Sequence, residues 1–288
     1  MDPIGIVGTG RMAQALGATL CRRGVPVAAV AGNDCEKARG AANFIGAPRA
    51  TLIRDLPLYV KRILVAVSDD AIPRVTGELA ACGTKPEVVL HTSGAAGPDA
   101  LGALRTSGGS IGVIHPLQTV SSPEQGVRTL PASAFACAGD PEAVEWAQQL
   151  IRVLDGKALV IGTQNWELYH TAAVMACNYH VTLIDAALEL MESAGIARDS
   201  GLAALEPLIR TTTDNILRSG PEAALTGPIR RGDLGTIRQH MAALKSASRM
   251  TRNLYSAAAV RTLPLAQRAG LPAEAVRQLG EAIEESGA

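Results

Sequence analysis

Residues 4–16 read IGIVGTGRMAQAL, and this stretch predicts how the N-terminal half of the chain folds. Residues 4–7 form an apolar run typical of a strand buried on both faces. Gly8, Gly10 and Ala13 follow with the spacing G-x-G-x-x-A, where an apolar helix begins. In this arrangement the first glycine permits a tight turn, the second lets a pyrophosphate approach the backbone, and the small third residue allows close helix–strand packing.

The surrounding sequence strengthens this interpretation. The predicted helix continues to Arg23, and a second apolar strand follows at residues 25–31, as a β-α-β mononucleotide unit requires. The alternative is a chance match that serves packing alone, because the chain contains 29 glycines in 288 residues. We favour a dinucleotide site in which the helix N-terminus faces the phosphates. Its predicted residues are Gly8, Thr9, Gly10, Arg11 and Met12.

The composition describes a globular chain with no strong overall charge. Its 288 residues are enough for two domains. Lysine plus arginine equals aspartate plus glutamate at 27 each, so nothing draws the protein to nucleic acid or to an anionic membrane. The five cysteines are scattered without a C-x-x-C pair, which argues against a disulfide framework and against a zinc site. We therefore expect no bound metal.

The N-terminal residues and the hydropathy pattern predict where the protein resides. The chain enters a predicted strand almost at once, without the basic and apolar regions of a secretory signal. No uncharged apolar run approaches the roughly 20 residues of a membrane span. We therefore expect a cytoplasmic protein with no membrane partner and no nucleic-acid partner.

The end of the second predicted strand bears on the choice of cofactor. In NAD sites an Asp or Glu about 20 residues after the glycines usually binds the ribose 2′-hydroxyl. Here residues 31–33 read AGN, and Asp34 comes slightly late. A neutral Asn33, with Lys37 one turn further, would tolerate a 2′-phosphate better than a carboxylate would. We therefore expect NADP rather than NAD, and Asn33 joins the predicted cofactor site.

Three more apolar runs predict parallel strands, and they lead into Ser68, His91 and His115. Ligands of such sheets bind beyond the carboxyl ends of the strands. The backbone at Val67 and Ser68 should therefore border the cofactor. Both histidines are candidates for a functional role, with a histidine bonded to a backbone carbonyl as the alternative.

Asp69 and Asp70 follow the first of these strands directly. Adjacent carboxylates point apart, so an acid/base pair is not the interpretation that we favour. Because the two residues precede an apolar stretch of helical period, we expect them to begin a helix and to complement its dipole.

The alternation of strands and helices predicts one domain, and a change in periodicity marks its end. Two more strands are predicted at residues 135–138 and 158–161, and from Trp166 onward the pattern predicts helices alone. We place the boundary near Gly162. The prediction is an α/β domain at residues 1–162, with a doubly wound Rossmann-like sheet, and an all-α domain at residues 163–288.

The all-α domain is predicted to open with one long helix at residues 167–194. His170, Val174 and Asn178 lie at positions i, i+4 and i+8, so they would share one broad face of that helix. An asparagine among alanines and valines must find partners, which the neighbouring backbone or a substrate can supply. A cleft beside a dinucleotide domain is a common ligand site, so His170 and Asn178 are candidate substrate contacts.

Five segments carry a resemblance to known proteins: GIVGTGRMA at Gly5, HTSGA at His91, HPLQT at His115, YHTAAVMACNY at Tyr169 and LTGPIRRGD at Leu225. Together they resemble a family of small bacterial proteins with an N-terminal Rossmann-like domain and a C-terminal all-α domain of the type called DUF2520. The family belongs to the superfamily of pyrroline-5-carboxylate reductases, 6-phosphogluconate and 3-hydroxyisobutyrate dehydrogenases and coenzyme F420-dependent NADP oxidoreductases. The resemblance implies a nicotinamide-dependent oxidoreductase, a C-terminal domain like that of 6-phosphogluconate dehydrogenase, and a homodimer whose helical domains pack together.

The chain departs from this superfamily at one position. The hydroxyacid dehydrogenases place a lysine one turn before an asparagine on the long helix, but Val174 stands one turn before Asn178 here. Their proton-transfer mechanism therefore does not carry over. His115 resembles the histidine of prephenate dehydrogenases, and it could exchange the proton of a substrate oxygen with a pKa near the working pH. Ser93 could form a hydrogen bond with the same oxygen.

Together these observations predict an NADP-preferring oxidoreductase that moves hydride to or from a carbonyl or imine carbon of a small acidic metabolite. The residues expected to orient the substrate are Ser93, His115, His170 and Asn178. Two other hypotheses stay open. The first is a non-catalytic NADP(H) sensor, which the missing lysine favours, and the second is an oxidoreductase that binds a flavin-type nucleotide such as F420.

Overall fold

The computed structural model describes residues 1–285. The chain divides into two compact units, Met1–Ala176 and Cys177–Ala288. The first unit contains the predicted Rossmann-like sheet. Its eight strands are β1 (Ile4–Val7), β2 (Val27–Ala31), β3 (Ala50–Thr51), β4 (Arg62–Val65), β5 (Val88–His91), β6 (Ser110–Pro116), β7 (Ala134–Gly139) and β8 (Lys157–Val160).

The strand order is β3-β2-β1-β4-β5-β6-β7-β8, so the order reverses at β1 as in doubly wound sheets. The pairs from β3 to β6 are parallel, and β6 pairs with β7 in antiparallel fashion before β8 returns to a parallel pairing. The predicted strands agree with the observed ones to within two residues at each end. The short strand β3 was missed because two residues are too few to show a period.

Helices cover both faces of this sheet because alternate strand residues are apolar on both sides. Ile6, Leu64 and Leu90 belong to one hydrophobic core, whereas Val65 and Val89 belong to a second core. The α-helices of the first unit are α1 (Arg11–Arg22), α2 (Cys35–Ile45), α3 (Ile72–Ala80), α4 (Gly102–Arg105), α5 (Pro123–Thr129), α6 (Pro141–Val153) and α7 (Trp166–Ala176). The doubly wound fold class is thereby confirmed.

The second unit is helical over its described residues. Its helices are α8 (Asn178–Ser193), α9 (Arg198–Ala224), α10 (Gly227–Arg231), α11 (Leu234–Ala243), α12 (Arg249–Arg268) and α13 (Ala273–Glu285). Their core contains Ile237, Met241, Leu263 and Leu279. No helix within residues 1–285 is both long and apolar enough to cross a membrane.

The single helix predicted at residues 167–194 is wrong. The structure contains two helices, α7 and α8, interrupted at Cys177, where φ is −110° and ψ is −69°, away from the values of a regular helix. The division between the two units falls at the same place, after Ala176. The domain boundary predicted near Gly162 coincides instead with the end of the sheet, since β8 ends at Val160.

The apolar spacing of residues 234–252 predicts one helix, and this prediction is also wrong. In the structure α11 ends at Ala243 and a 3₁₀ turn follows. Ser248 then begins α12, and its side chain accepts a hydrogen bond from the backbone N–H of Thr251. A serine cap of this kind starts a new helix, and the periodicity of the apolar residues does not reveal it.

Candidate functional site

A cleft of about 550 Å³ opens where β1 leads into α1. Gly8 has φ +130°, and a Cβ atom there would lie 2.2 Å from the carbonyl oxygen of Ala66, so this turn accepts only glycine. A Cβ atom on Gly10 would have no neighbour within 4 Å. Gly8 therefore serves the turn itself, whereas Gly10 leaves the backbone open to a ligand.

The N-terminus of α1 faces this cleft with its hydrogen-bond donors uncapped. Gly10 is the N-cap residue, and no side chain caps the first turn. The first turn reads RMAQ and contains no acidic side chain. The free N–H groups and the positive end of the helix dipole make this end of α1 a site for an anion such as a pyrophosphate.

The structure places all the residues predicted for cofactor binding around this one cleft. They are Gly8, Thr9, Gly10, Arg11, Met12, Asn33, Val67 and Ser68. Lys37, which supported the expectation of NADP, is absent from the lining, and its amine lies 4.0 Å from Asp34. Two arginines line the cleft. Arg11 donates a hydrogen bond to the carbonyl oxygen of Ser121, and Arg74 donates one to Asn33.

Asp69 and Asp70 begin a helical segment, as predicted. They form a 3₁₀ turn that leads directly into α3, although the Ser68 side chain makes no capping hydrogen bond. The Asp69 carboxylate is close enough to His91 and His115 to oppose the lowering of both pKa values. The carboxyl ends of β4, β5 and β6 therefore meet in one polar region.

His91 is buried at the end of β5, and both of its ring nitrogens are occupied by the backbone. Nε2 lies 3.0 Å from the carbonyl oxygen of Gly97, and Nδ1 accepts a hydrogen bond of 3.2 Å from the Ser93 N–H. Because a carbonyl only accepts, the ring hydrogen must be on Nε2. Burial lowers the pKa of His91 to about 4. His91 therefore corresponds to the alternative given for it above, a histidine bonded to a backbone carbonyl. In its neutral form it stabilises the loop after β5.

Ser93 lies in the same loop and is also buried. Its hydroxyl accepts a hydrogen bond of 2.9 Å from the N–H of Ala96. The hydroxyl oxygen therefore stabilises the loop as an acceptor. The hydroxyl hydrogen is the group that could be donated to a substrate oxygen. The role predicted for Ser93 stays a prediction.

His115 forms the centre of an aromatic cluster at the end of β6. Its Nδ1 atom lies 2.7 Å from the hydroxyl oxygen of Tyr169, and its ring centroid lies 6.0 Å from that of His170. Burial, and then the charge of His170, lower the pKa of His115 to about 4. The pKa near the working pH that we expected for His115 is therefore wrong, because the surrounding rings exclude the water that would stabilise an imidazolium ion.

Gly94 lies against this cluster, and its position depends on Trp166. The indole Nε1 of Trp166 donates a hydrogen bond of 2.8 Å to the carbonyl oxygen of Gly94. A Cβ atom on Gly94 would lie 2.5 Å from Nε2 of His115 and 2.7 Å from Cδ2 of His170. Glycine is therefore the residue that lets the loop after β5 approach both imidazole rings.

The two candidate substrate contacts of the predicted long helix fall in different units. His170 is half-buried on α7 of the first unit, where it joins the His115 cluster. Asn178 is exposed at the start of α8, in the second unit. Cys177 interrupts the predicted helix between these two residues, and an exposed asparagine needs no buried partner. A role for Asn178 in the site stays a prediction.

Sequence reasoning did not select Trp166, Tyr169 or Arg74 as site residues. Tyr169 stands beside His170 within a segment that resembles the family, so that segment was a usable signal. Arg74 and Trp166 had no such signal, because each reaches a partner at least 41 residues away in sequence. Within residues 1–285, no group of three or more His, Cys, Asp or Glu residues is arranged to hold a metal ion.

Comparison with known proteins identifies the two domains. Residues 2–116 match the family model of the Rossmann-like domain, and residues 133–262 match that of DUF2520, a domain of unknown function. The two matched domain types are those that the five resembling segments predicted. No curated protein matches the sequence.

Solved structures share the fold over nearly the whole chain. A protein from Bacteroides fragilis named as an NADP oxidoreductase is 24% identical, with 97% of this chain and 98% of that chain covered and a TM-score of 0.69. A reductive aminase from Aspergillus terreus, in complex with NADPH and ethyl-5-oxohexanoate, is 18% identical, with 99% and 93% covered and a TM-score of 0.59. A pyrroline-5-carboxylate reductase from Coxiella burnetii is 15% identical, with 99% and 97% covered and a TM-score of 0.58.

Proposed function

We propose that this protein is an oxidoreductase that uses a nicotinamide dinucleotide, with NADP preferred over NAD. Its proposed reaction moves hydride to or from the carbonyl or imine carbon of a small acidic metabolite. The observation that carries this proposal is the cleft at the N-terminus of α1, where the turn at Gly8 and the open backbone at Gly10 leave room for a pyrophosphate. The named activities of the solved structures with this fold support the same class of reaction.

The residues around the cleft fit such a cofactor. The uncapped N–H groups at the start of α1 would bind the pyrophosphate, and the open side of Gly10 would let it approach. Val67 and Ser68, at the end of β4, would border the cofactor toward the His115 cluster. When bound, the nicotinamide would supply or accept the hydride, which protein side chains cannot do.

The His115 cluster is the proposed place for the substrate. A neutral His115 is suited to donate a hydrogen bond to a carbonyl oxygen or an imine nitrogen, and it needs no ionisation to do so. His170 lies beside it, and Ser93 belongs to the loop that approaches it at Gly94. Asn178 is proposed as a further substrate contact on the strength of the resemblance alone.

Hydrophobic side chains on the second unit support the proposed homodimer. Large apolar residues are exposed along α8 and α9: Tyr179, Val181, Leu183, Leu202, Leu208, Ile216 and Leu217. Soluble monomers rarely expose apolar side chains in such numbers on neighbouring helices, and α8 packs against α9. We infer that a second copy of this chain covers them through its own helical domain.

Binding and turnover test the proposal separately. Calorimetry with NADP, NADPH, NAD and NADH should detect binding that Gly10→Ala weakens about tenfold or more, while the melting temperature stays unchanged, because a Cβ atom at Gly10 extends into the cleft alone. Gly8→Ala is the matched comparison and should lower the melting temperature. Absence of binding to all four nucleotides by the wild-type protein would overturn the proposal.

A turnover assay distinguishes an enzyme from a sensor. NADPH oxidation should be measured with a panel of 2-oxo acids, each alone and together with ammonia or a small amine, and with preformed cyclic imines. Oxidation that depends on one class of substrate supports the enzyme and identifies a carbonyl or an imine. Tight NADPH binding without oxidation by any member of the panel would favour the sensor.

A further inference from the structure

We propose that Arg74 is the residue that recognises the 2′-phosphate of NADP in this protein, with Asn33 as its positioning partner. The proposal rests on the proposed function, because it assigns the selectivity of the same cleft. Neither residue type nor spacing singles out Arg74 in the sequence, since it lies on α3, one βα unit beyond the strand that usually carries this selectivity.

The first observation is the place where Arg74 and Asn33 meet. The backbone N–H of Gly8 donates to the carbonyl oxygen of Ala31, so the end of β2 lies directly beside the glycine turn. Asn33 follows two residues later and lines the cleft. In doubly wound folds the adenosine ribose of a dinucleotide lies against this strand end. A ligand whose pyrophosphate is at Gly10 would therefore bring its 2′ position toward Asn33.

The second observation concerns Asp34, the carboxylate next to Asn33 in sequence. Asp34 is where a ribose-binding acid of an NAD site would be sought, but its carboxylate accepts hydrogen bonds from the N–H groups of Glu36 and Lys37, at 2.9 and 3.1 Å. Asp34 is thus the N-cap of α2, and it does not line the cleft. The negative charge of Asp34, which would repel a 2′-phosphate, is therefore bound to the backbone at the start of α2.

The third observation is the orientation of the Arg74 guanidinium group. Its Nη1 atom donates a hydrogen bond of 2.8 Å to Oδ1 of Asn33 and also pairs with Glu78 on the same helix. Among residues 1–285, the structure shows no hydrogen-bond partner for Nε or Nη2. These two nitrogens form the edge of the guanidinium group that binds phosphate oxygens in pairs.

The same hydrogen bond also orients Asn33. Because an arginine can only donate, Oδ1 of Asn33 must face Arg74, and the amide Nδ2 is turned away with both of its hydrogens. The structure shows no partner for Nδ2 in the part of the chain that it describes. One contact therefore orients two sets of free donors, on Arg74 and on Asn33, at the lining of the cleft.

Glu78 also contacts the Arg74 guanidinium group, through the same Nη1 atom that binds Asn33. Glu78 lies one helical turn after Arg74, and the side chains of the two residues are 37% and 45% exposed. An i, i+4 pair at this exposure is weak, so it orients Arg74 without neutralising it for a dianionic ligand. The 2′-phosphate would add a stronger charge-assisted contact on the opposite edge of the guanidinium group.

Lys37 is the matched control for Arg74. It carries the same charge near the end of β2, and residue spacing alone would favour it for the 2′-phosphate. Its amine lies near Asp34 and its side chain is outside the cleft lining. Replacement of Arg74 by glutamine should therefore weaken the binding of NADP, whereas the same replacement of Lys37 should not.

The experiment measures the affinity of the full chain for NADP, NAD, 2′,5′-ADP and 5′-AMP by calorimetry. Arg74→Gln should weaken NADP and 2′,5′-ADP about 10- to 100-fold, the loss expected for a charged hydrogen-bonded pair, and change NAD and 5′-AMP by less than about threefold. Lys37→Gln should leave all four affinities within about threefold of the wild type. Thermal unfolding of both variants shows whether they fold.

The outcomes separate the two proposals. If Arg74→Gln leaves the ratio of NADP to NAD affinity unchanged, or if Lys37→Gln lowers that ratio, the assignment of Arg74 is wrong while the proposed function stands. If the wild-type protein binds none of the four ligands, the proposed function fails, and the assignment of Arg74 fails with it.

Discussion

The Nδ1 atom of His115 lies 2.7 Å from the hydroxyl oxygen of Tyr169, 54 residues further along the chain. Burial raises the pKa of the Tyr169 phenol to about 12 and lowers the pKa of His115 to about 4. Both groups are therefore neutral near pH 7. A protonated phenol beside a neutral imidazole fits donation from Tyr169 to Nδ1, with the ring hydrogen of His115 on Nε2.

Removal of the Tyr169 hydroxyl should release His115 from a single tautomer. In the wild-type protein, we expect ¹⁵N NMR to show a protonated Nε2 and an unprotonated Nδ1 at pH 7. Tyr169→Phe should mix the two tautomers and, with an identified substrate, lower kcat about tenfold, which corresponds to one hydrogen bond. His115→Gln assigns the signals. A protonated Nδ1 in the wild-type protein would contradict the proposed direction of the hydrogen bond.

Gly94→Ala should disturb the His115 cluster. The added Cβ atom would lie 2.5 Å from Nε2 of His115, so the loop or both imidazole rings must move, at a cost of about 1–3 kcal/mol in the free energy of unfolding. Urea denaturation measures this cost. Gly97→Ala is the matched control, because its Cβ atom would meet Trp166 at an ordinary 3.9 Å. Equal stabilities of the two variants would show that Gly94 is not needed for close approach.

His91 should make the protein less stable in mild acid. Its pKa is about 4 in the folded chain and about 6.5 when unfolded, so the unfolded state binds more protons between these values. The neutral form contributes stability above pH 6.5, and this contribution is lost as the pH falls toward 4. Through His91 alone, the free energy of unfolding should fall by about 2 kcal/mol from pH 8 to pH 5.

Denaturation of His91→Asn across the same pH range isolates this contribution. The variant retains a side-chain acceptor for the Ser93 N–H but has no titrating ring. It should be less stable at pH 8, because the bond to Gly97 is lost, and its stability should fall less steeply toward pH 5. Parallel curves for the variant and the wild-type protein would mean that His91 titrates normally.

Charges on the exposed apolar residues of α9 should dissociate the proposed homodimer. Leu208 and Leu217 are 63% and 80% exposed, and two glutamates there would have to be buried in an interface between copies. Sedimentation velocity should show a dimer for the wild-type protein and a monomer for Leu208→Glu combined with Leu217→Glu. Leu58→Glu, which changes a 64% exposed leucine of the first unit, should leave the dimer intact. A monomeric wild-type protein at all concentrations would contradict the proposal.

The sequence by itself determined seven of the eight strands of the first unit, the helix that follows Gly10 and the glycine turn at its start. Local periodicity and the steric freedom of glycine act over a few residues, so they can be read along the chain. The same local information failed at Cys177, where the break in the helix has neither a glycine nor a proline to mark it.

Only the tertiary structure decided which side chains meet. It placed Tyr169 against His115, Arg74 against Asn33, and Trp166 against Gly94, each pair at least 41 residues apart in sequence. Such contacts depend on the order and register of the strands, which bring distant segments to the same edge of the sheet. Burial among those segments also decided that His115 is neutral, because a pKa is set by the surroundings of a group and not by its neighbours in the sequence.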